Sequence, residues 1–568
     1  MMATFNAAIT KELNLERITA RTSELTTEEP LLKPSPWQWR LILFLIYLTS
    51  LLNGYDVSNV ANIQASVYEA FGHIELLPWV ALSYTMGAVA VTPMVRRVVE
   101  TFDAKVLYTI FYVLFIVACT VSGSATSIYA VIVGRALMGL SYTGVYQMNL
   151  NLVSVFADAQ EAARIAGMVG MFWAVGIIVG PFISAGFAEN SVTTWRWAFY
   201  INLPFLGVLL CLTTFCLSPY TVRSTTSRPD SLLSMDFVGG ALHCAISILL
   251  PCALIMSGIS WSWNSSSTII TWVFLAIIFI VYIVQQKYAL LTSSKNRVFP
   301  VDALTHRIAG LAALGAACSG ITYAISLYYL PLFYAFVRGA SPLEAAVHVI
   351  PFICFFILSI ILASIALPLV GYYAPFFALA GILMLVGGVL MTTITSATSD
   401  RTIFGYQVLL AIGVGLIFSN AYSVANASLK RPGERIAAAA LFNMASFSGI
   451  CLALAVAGSL YHNVGMLLLQ KELAQYGLDR VYISEALAGV ASPAFQANAR
   501  ILESLQETVS IVVSSLFYIV VFAGAVCLLA SLMMRWEKLD FKPKAEQEGD
   551  GEERDNVIQL TIPSSSPP

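Results

Sequence analysis

Apolar residues run along this chain in stretches long enough to cross a bilayer, separated by shorter polar breaks. Fourteen such runs lie near residues 38–60, 76–95, 105–123, 126–148, 163–187, 197–217, 236–257, 267–286, 306–335, 343–366, 374–395, 402–426, 437–460 and 510–533. A helix rises about 1.5 Å per residue, so some 20 apolar residues cover the roughly 30 Å hydrocarbon core. Each run therefore predicts a membrane-spanning helix, and the fold class is an all-α polytopic membrane protein. The breaks group the runs as six, two and six. "CLSPY" leads into the polar linker "TVRSTTSRPDSLLSMD" (221–236), and a second polar, basic segment lies near 287–305. The expected organisation is a cytosolic tail (1–37), a six-helix half (38–217), a linker with two additional helices (218–305), a second six-helix half (306–533) and a cytosolic tail (534–568). Both tails read as disordered from their charged or Ser/Pro-rich composition. No cleavable signal is expected in the polar start, so the first spanning helix would act as the targeting signal. The segment 461–509 reads as partly helical and amphipathic, packed on the outer rim.

Composition agrees with the pattern. Of 568 residues, 58% are hydrophobic and 11% charged, with a mean hydropathy of +0.78; a soluble chain carries about 25% charged residues. The net charge of −2 names no partner, and no basic-aromatic stripe points to nucleic acid. All nine cysteines fall in apolar runs and read as packing residues rather than disulfides or metal ligands. Lys and Arg decide the orientation. With both termini in the cytosol, only Arg196, Arg338, Arg401, Lys471, Arg480 and Arg500 fall outside, while the inner segments take almost all the others. Arg135 belongs to neither group and stands in the middle of the fourth run.

The two sixes read as repeats. "GRALMGLSYTG" (134–144) in the fourth run aligns without gaps to "YQVLLAIGVGL" (406–416) in the fourth run of the second half. Arg135 meets Gln407, Gly139 meets Ala411, Ser141 meets Gly413 and Thr143 meets Gly415. Parallel six-helix repeats fit a transporter built around a central cavity.

A cation at mid-membrane is expensive and seldom faces lipid. Arg135 either lines a cavity and tunes a proton-carrying carboxylate or is a fixed strut to carbonyls of neighbouring helices. Asp56, in the first run, is its nearest candidate partner in depth, the alternative being a solvated interfacial Asp. Glu69, Glu75 and Asp236 read as boundary charges, and His243 and His348 as packed hydrogen-bonding residues. Gln147, Asn149 and Asn151 gather amides at one end of the fourth run, and Asn420 and Asn443 add two in the second half. Tyr142, Tyr146, Trp173, Tyr323 and Gln407 are candidates for a substrate cavity or for helix packing. The sequon Asn264-Ser265-Ser266 lies too close to the membrane to favour glycosylation. "GIIVGPFISAG" (176–186) places Gly176 and Gly180 on one helix face, where a second backbone can approach, while Pro181 frees the carbonyl of Ile177.

These motifs resemble a known family. "IVGRALMGLSYTG" (132–144), with Arg135, Gly139 and Gly144, resembles the fourth-helix motif of the major facilitator superfamily. "GIIVGPFISAG", with Gly176, Gly180, Pro181 and Gly186, and opened by Gly167, resembles the fifth-helix motif of its antiporters. "WRWAFYINLPF" (195–205) and "LNGYDVSNVANIQASVYEAFG" (52–72) resemble its fourteen-helix drug:proton antiporters, especially fungal exporters of drugs or toxins. The loop between helices 2 and 3, "PMVRRVVETFDAK", keeps the charges Arg96, Arg97, Asp103 and Lys105 but lacks the family's glycine. In the fifth-helix motif Ser184 and Ala185 replace glycines.

The resemblance implies a major facilitator fold and export of a hydrophobic or amphipathic small organic compound (drug, toxin or secondary metabolite) against protons by alternating access. Asp56 and Arg135 would couple protons, and the glycines of helix 5 would form a tight seam. The expected partners are the small molecule, protons and the lipid bilayer; the protein would need no cofactor or metal and act as a monomer. The plasma membrane is the expected location, with the vacuolar membrane as the alternative. Proton-coupled uptake of a nutrient or metal chelate remains open, as does a receptor. The chain shows no nucleotide loop, ligand cluster or nucleophile–base set for an enzyme, and no filter sequence for a channel.

Overall fold

The computed structural model describes residues 34–72, 76–157, 159–190, 192–217, 235–293, 296–418, 420–429, 432–473, 487 and 499–539. Among these residues fourteen helices are long and apolar enough to cross a membrane. Their long helices are α1 Pro36–Ser58, α2 Leu77–Thr101, α3 Ala104–Gly123, α4 Ile128–Phe156, α5 Ala159–Glu189, α6 Asn202–Cys216, α7 Phe237–Met256, α8 Ser266–Tyr288, α9 Arg307–Val337, α10 Ile350–Val370, α11 Ala374–Met391, α12 Asp400–Phe418, α13 Pro432–Leu473 and α14 Ala499–Met533, the sixth span running from Trp197 to Phe215. Short helices adjoin five of them: Val60–Phe71 follows α1, Trp197–Tyr200 precedes α6, Val301–Thr305 precedes α9, Pro342–Val347 precedes α10 and Asn420–Ser428 follows α12. Several starts are set by side-chain caps that satisfy otherwise orphaned amides. Asp103 accepts from the Val106 amide at 3.2 Å, Asp236 from Gly239 at 2.8 Å, and Ser265 from Thr268 at 3.3 Å.

Helix pairing is the same in both halves. In the first, α1 packs on α5, α2 and α3 on α4, and α3 on α6. In the second, α9 packs on α13, α10 and α11 on α12, and α11 on α14. The halves meet through exchanged neighbours, α2 against α13 and α5 against α10. The two additional helices pair with each other, and α7 also lies against both α2 and α13. His243 of α7 bridges Tyr282 of α8 (3.2 Å) and the carbonyl of Val89 in α2 (3.1 Å).

Glycine permits the closest of these contacts. A Cβ on Gly54 of α1 would stand 2.0 Å from the Trp173 carbonyl oxygen, and one on Gly176 of α5 2.1 Å from that of Leu51. The α9–α13 pair repeats the arrangement: a Cβ on Gly320 would lie 2.6 Å from the Ser446 oxygen, and one on Gly449 2.3 Å from that of Ala317. Small residues remove the side-chain layer, so backbone packs on backbone where lipid offers no hydrophobic drive. Gly180 meets mainly the Ser58 hydroxyl, with 2.2 Å to a hypothetical Cβ, whereas Gly167 and Gly186 have open space at that position. Helix α5 continues without a break through Pro181.

Two helices outrun their apolar segments. Helix α13 extends from the run at 437–460 to Leu473 and absorbs "LLLQKEL", and α14 starts at Ala499, well before the run at 510. An amphipathic continuation is thus part of the spanning helix rather than a separate element. The rest of that connection, apart from residue 487, lies outside the described residues.

The Gly176 contact is with rigid backbone and the first Gly180 contact with a movable hydroxyl, so the two positions should respond differently. Gly176→Val should exceed the about 1–3 kcal/mol usual for overpacking and sharply reduce monodisperse protein in size-exclusion chromatography. Gly180→Ala should accumulate at the membrane close to wild type. Equal yields of the two variants would contradict this account of the α1–α5 contact.

Candidate functional site

Arg135 is 1% exposed and Asp56 fully buried. The small residues of α4 bring the arginine into place: a Cβ on Gly139 would stand 1.9 Å from the Tyr84 carbonyl oxygen of α2, and one on Gly144 2.3 Å from the Phe111 ring of α3. So seated, Arg135 donates from Nε to the Val80 carbonyl at 3.2 Å and from Nη1 to the backbone carbonyl of Asp56 at 3.1 Å. Its guanidinium carbon stands 4.7 Å from the Tyr84 ring centroid, a cation–π contact in a dry setting. The guanidinium therefore binds the backbone of Asp56 rather than its carboxylate. That carboxylate accepts one hydrogen bond, at Oδ1 from Asn202 Nδ2 of α6 at 2.8 Å. Its Oδ2 has no hydrogen-bond partner among the described residues.

Beyond Tyr84 the polar chain continues. Asn53 donates to the Tyr84 hydroxyl at 2.6 Å and accepts from Trp173 Nε1 at 2.8 Å. Trp173 then reaches the second half. It stacks on Phe418 of α12 at 5.2 Å between centroids and lies 5.9 Å from Tyr323 of α9 and 6.1 Å from Phe356 of α10. The Tyr323 hydroxyl is buried and has no partner among the described residues. A cavity of about 40 Å³ lies between the halves, lined by Ser58, Tyr84, Thr85, Arg135, Tyr323 and Tyr328 among others. It has room for a few waters and is far below the 300–1,000 Å³ of a typical ligand pocket. Gln64 on the helix after α1 bonds to the Tyr328 hydroxyl across the same boundary.

The other sequence candidates are spread more widely. Gln407 occupies the position in α12 that Arg135 has in α4, and it donates to the carbonyl of His348, just before α10, at 3.1 Å. Each half thus holds the start of its second helix through a polar side chain on its fourth. Tyr142 and Tyr146 contact each other at 5.8 Å. Gln147 is buried, with its Oε1 unpartnered among the described residues. Arg97 donates to the Arg297 carbonyl at 3.1 Å and Arg96 to that of Val298 at 3.5 Å, tying the end of α2 to the segment before α9. Asp103 is a helix cap, with Lys105 in the first turn behind it. Asp236 is buried and fully engaged, accepting from Gln285 at 3.0 Å and Gln286 at 2.9 Å besides its cap bond. Sequence reasoning did not single out Asn53, Tyr84, Asn202, Phe356 or Phe418. Asn53 and Asn202 lay inside quoted motifs, but nothing in spacing alone showed what they faced.

Two related six-helix halves, joined by a helix pair and meeting at a buried polar and aromatic centre, define a polytopic transporter of the major facilitator type. Residues 46–454 match the family model described as Major Facilitator Superfamily, and the chain belongs to that family. It is 30% identical over 505 residues to "Efflux pump patC" of Aspergillus clavatus, covering 88% of this chain and 91% of that one. It is 29% identical over 504 residues to "MFS-type transporter patC" of Penicillium expansum, with the same coverage of 88% and 91%. To "Efflux pump DEP3" of Fusarium langsethiae it is 31% identical over 464 residues, 81% of this chain and 83% of the other. Among solved structures, a bacterial homologue of the human lysosomal transporter Spinster superposes with a TM-score of 0.61 at 14% identity, over 89% of this chain and 99% of that one. A D-xylose–proton symporter superposes with a TM-score of 0.54 at 14% identity, over 89% and 99%.

Removing the guanidinium takes away two hydrogen bonds from a charged donor, worth about 1.5–3 kcal/mol each. Arg135→Met should therefore lower the melting temperature of the purified protein. Arg135→Lys, which keeps the charge but not the fork, should fall between it and wild type. A melting curve for Arg135→Met that overlays wild type would refute the strut.

Proposed function

We propose that the protein is a secondary active exporter that expels hydrophobic or amphipathic small organic compounds, of the drug, toxin or secondary-metabolite kind, in exchange for protons. The observation that carries this reading is the buried Asp56 carboxylate. One of its oxygens is uncommitted, and a fixed cation holds the adjacent backbone. A buried carboxylate has a reason to take a proton, since the charged form loses its hydration. Asp56 is the proposed proton carrier, and Arg135 holds it at the boundary between the halves. Export fits the names of fungal relatives that cover most of this chain.

The cargo would meet the rings between the halves. Trp173 belongs to the first half, and Phe418, Phe356 and Tyr323 to the second. Alternating access requires these rings to part, and once parted they offer flat apolar faces with the Tyr323 hydroxyl among them. The tight α1–α5 contact keeps Trp173 and Asp56 in one rigid unit while the halves rock. Both termini would face the cytosol, as the Lys and Arg distribution indicates, in a protein acting as a monomer in the plasma membrane.

Expression in a yeast stripped of its own efflux pumps, with retention of a compound panel measured with and without a pH gradient, tests the reading. Wild type should lower retention of at least one compound, and collapsing the gradient should abolish the effect. Asp56→Asn should lose export while reaching the membrane, and Trp173→Ala should weaken it in a compound-dependent way. Gradient-independent retention, or full export by Asp56→Asn, would overturn proton coupling through this residue.

A further inference from the structure

The segment "WRWAFYINLPF" (195–205) carries Asn202 and leads into α6. In the structure it is a clamp on α1. Arg196 donates to the carbonyls of Gly123 (3.0 Å) and Ala125 (2.6 Å), at the turn between α3 and α4. Its guanidinium lies 4.8 Å from the Trp195 ring, which in turn packs edge-on against Phe71 at 5.8 Å. The Ala198 carbonyl accepts from the Tyr55 hydroxyl at 2.8 Å and from Asn59 at 3.3 Å. Residues on both sides of Asp56 are thereby fixed to one short turn. The first residue of α6 is Asn202, fully buried, whose amide meets the Asp56 carboxylate.

Two buried atoms at this contact have no partner among the described residues: Asp56 Oδ2 and Asn202 Oδ1. They belong to the same pair of side chains. A primary amide carries donors on nitrogen and acceptor lone pairs on oxygen. An ionised carboxylate can only accept, whereas a carboxylic acid also has an O–H to donate.

We propose that Asn202 is the positioning residue for Asp56 and serves both of its protonation states. With Asp56 ionised, Asn202 donates N–H to Oδ1, as in the structure. When Asp56 takes a proton, the acid donates its O–H to Asn202 Oδ1 after a half-turn of the amide or the carboxyl. Only the transported proton is added, and no bond of the amide forms or breaks. An amide does this without introducing a second charge beside Arg135, which a carboxylate or a lysine at 202 would do. The inference rests on Asp56 being the proton carrier. The remaining ionisable groups around the carboxylate are Arg135 on α4, Tyr84 on α2, Cys119 on α3 and Tyr55 on α1 itself. The stretch of α5 that faces α1 near Asp56, residues 173–181, and the start of α6 hold none; Glu161 of α5 meets the other end of α1, accepting from Trp39 at 2.6 Å.

The test needs no cargo, because protons are the probe. Infrared difference spectra between acid and alkaline buffer, on full-length protein in lipid nanodiscs, should show a carboxylic-acid C=O band that is missing in Asp56→Asn. In Asn202→Leu that band should move to higher wavenumber, as for an acid without a partner. Its pH midpoint should move by the equivalent of at least a tenfold change in proton concentration. Asn202→Gln, which keeps the amide, should bring both back toward wild type. If Asn202→Leu fails to assemble, Asn202→Ala deletes the amide without adding bulk and must give the same displacement. An unchanged band and midpoint in either deletion overturns the proposal. A band that responds to Asn202 while export ignores the pH gradient removes proton coupling and leaves the pairing standing. Absence of any Asp56 band removes both.

Discussion

A guanidinium inside an apolar bundle has to be answered by oxygen, and here the oxygen comes from the backbone. Arg135 holds the carbonyls of Val80 and Asp56, on two helices that are not its own. For this to happen α4 must approach α2 until no side chain fits between them, which Gly139 allows. Helix α1 must likewise be pinned, which the interlock of Gly54 with the Trp173 carbonyl of α5, and of Gly176 with the Leu51 carbonyl of α1, achieves. The arginine and the glycines are therefore one device. The small residues bring backbones together, and the cation uses the exposed lone pairs that result.

The same device recurs in the second half with a neutral residue in the cation's place. Gln407 reaches the carbonyl of His348, and Gly320 and Gly449 repeat the interlock of Gly54 and Gly176. Each half is thus tightly interlocked by one plan, but among the described residues only the first holds a charge at its centre. The halves touch chiefly through rings around Trp173 and through the paired seams. Rings part more readily than interlocked backbones, so under the proposed alternating access movement would fall at the boundary between the halves rather than within them.

Much of this was legible in the sequence, for physical reasons that can be named. Spanning helices announce themselves because lipid demands about 20 apolar residues in a row, and the fourteen runs correspond to fourteen helices. Arg135 was conspicuous because its setting is so costly for a charge. Helix ends were less legible: α13 and α14 continue into amphipathic turns that no lipid-length argument anticipates. The partners of Asp56 were legible only in part. Depth along a helix could bring Arg135 near Asp56, but not tell whether it would meet the carboxylate or the backbone. Asn202 sits 146 positions away, on a helix whose rotation about its own axis no periodicity reveals. The glycines of α5 show the same limit: Gly176 is packed against backbone while Gly167 and Gly186 are not, although all belong to one recognisable pattern.

The additional helix pair makes the two seams between the halves unlike each other. Helix α7 covers the line where α2 meets α13, and both of those spans are 67% buried. Among the described residues no spanning helix covers the opposite line, between α5 and α10, and its spans are only 39% and 33% buried. One flank of the boundary between the halves is therefore shielded by a full spanning helix and, among the described residues, the other is not. The pseudo-twofold symmetry of the halves is thus broken with respect to the surrounding lipid.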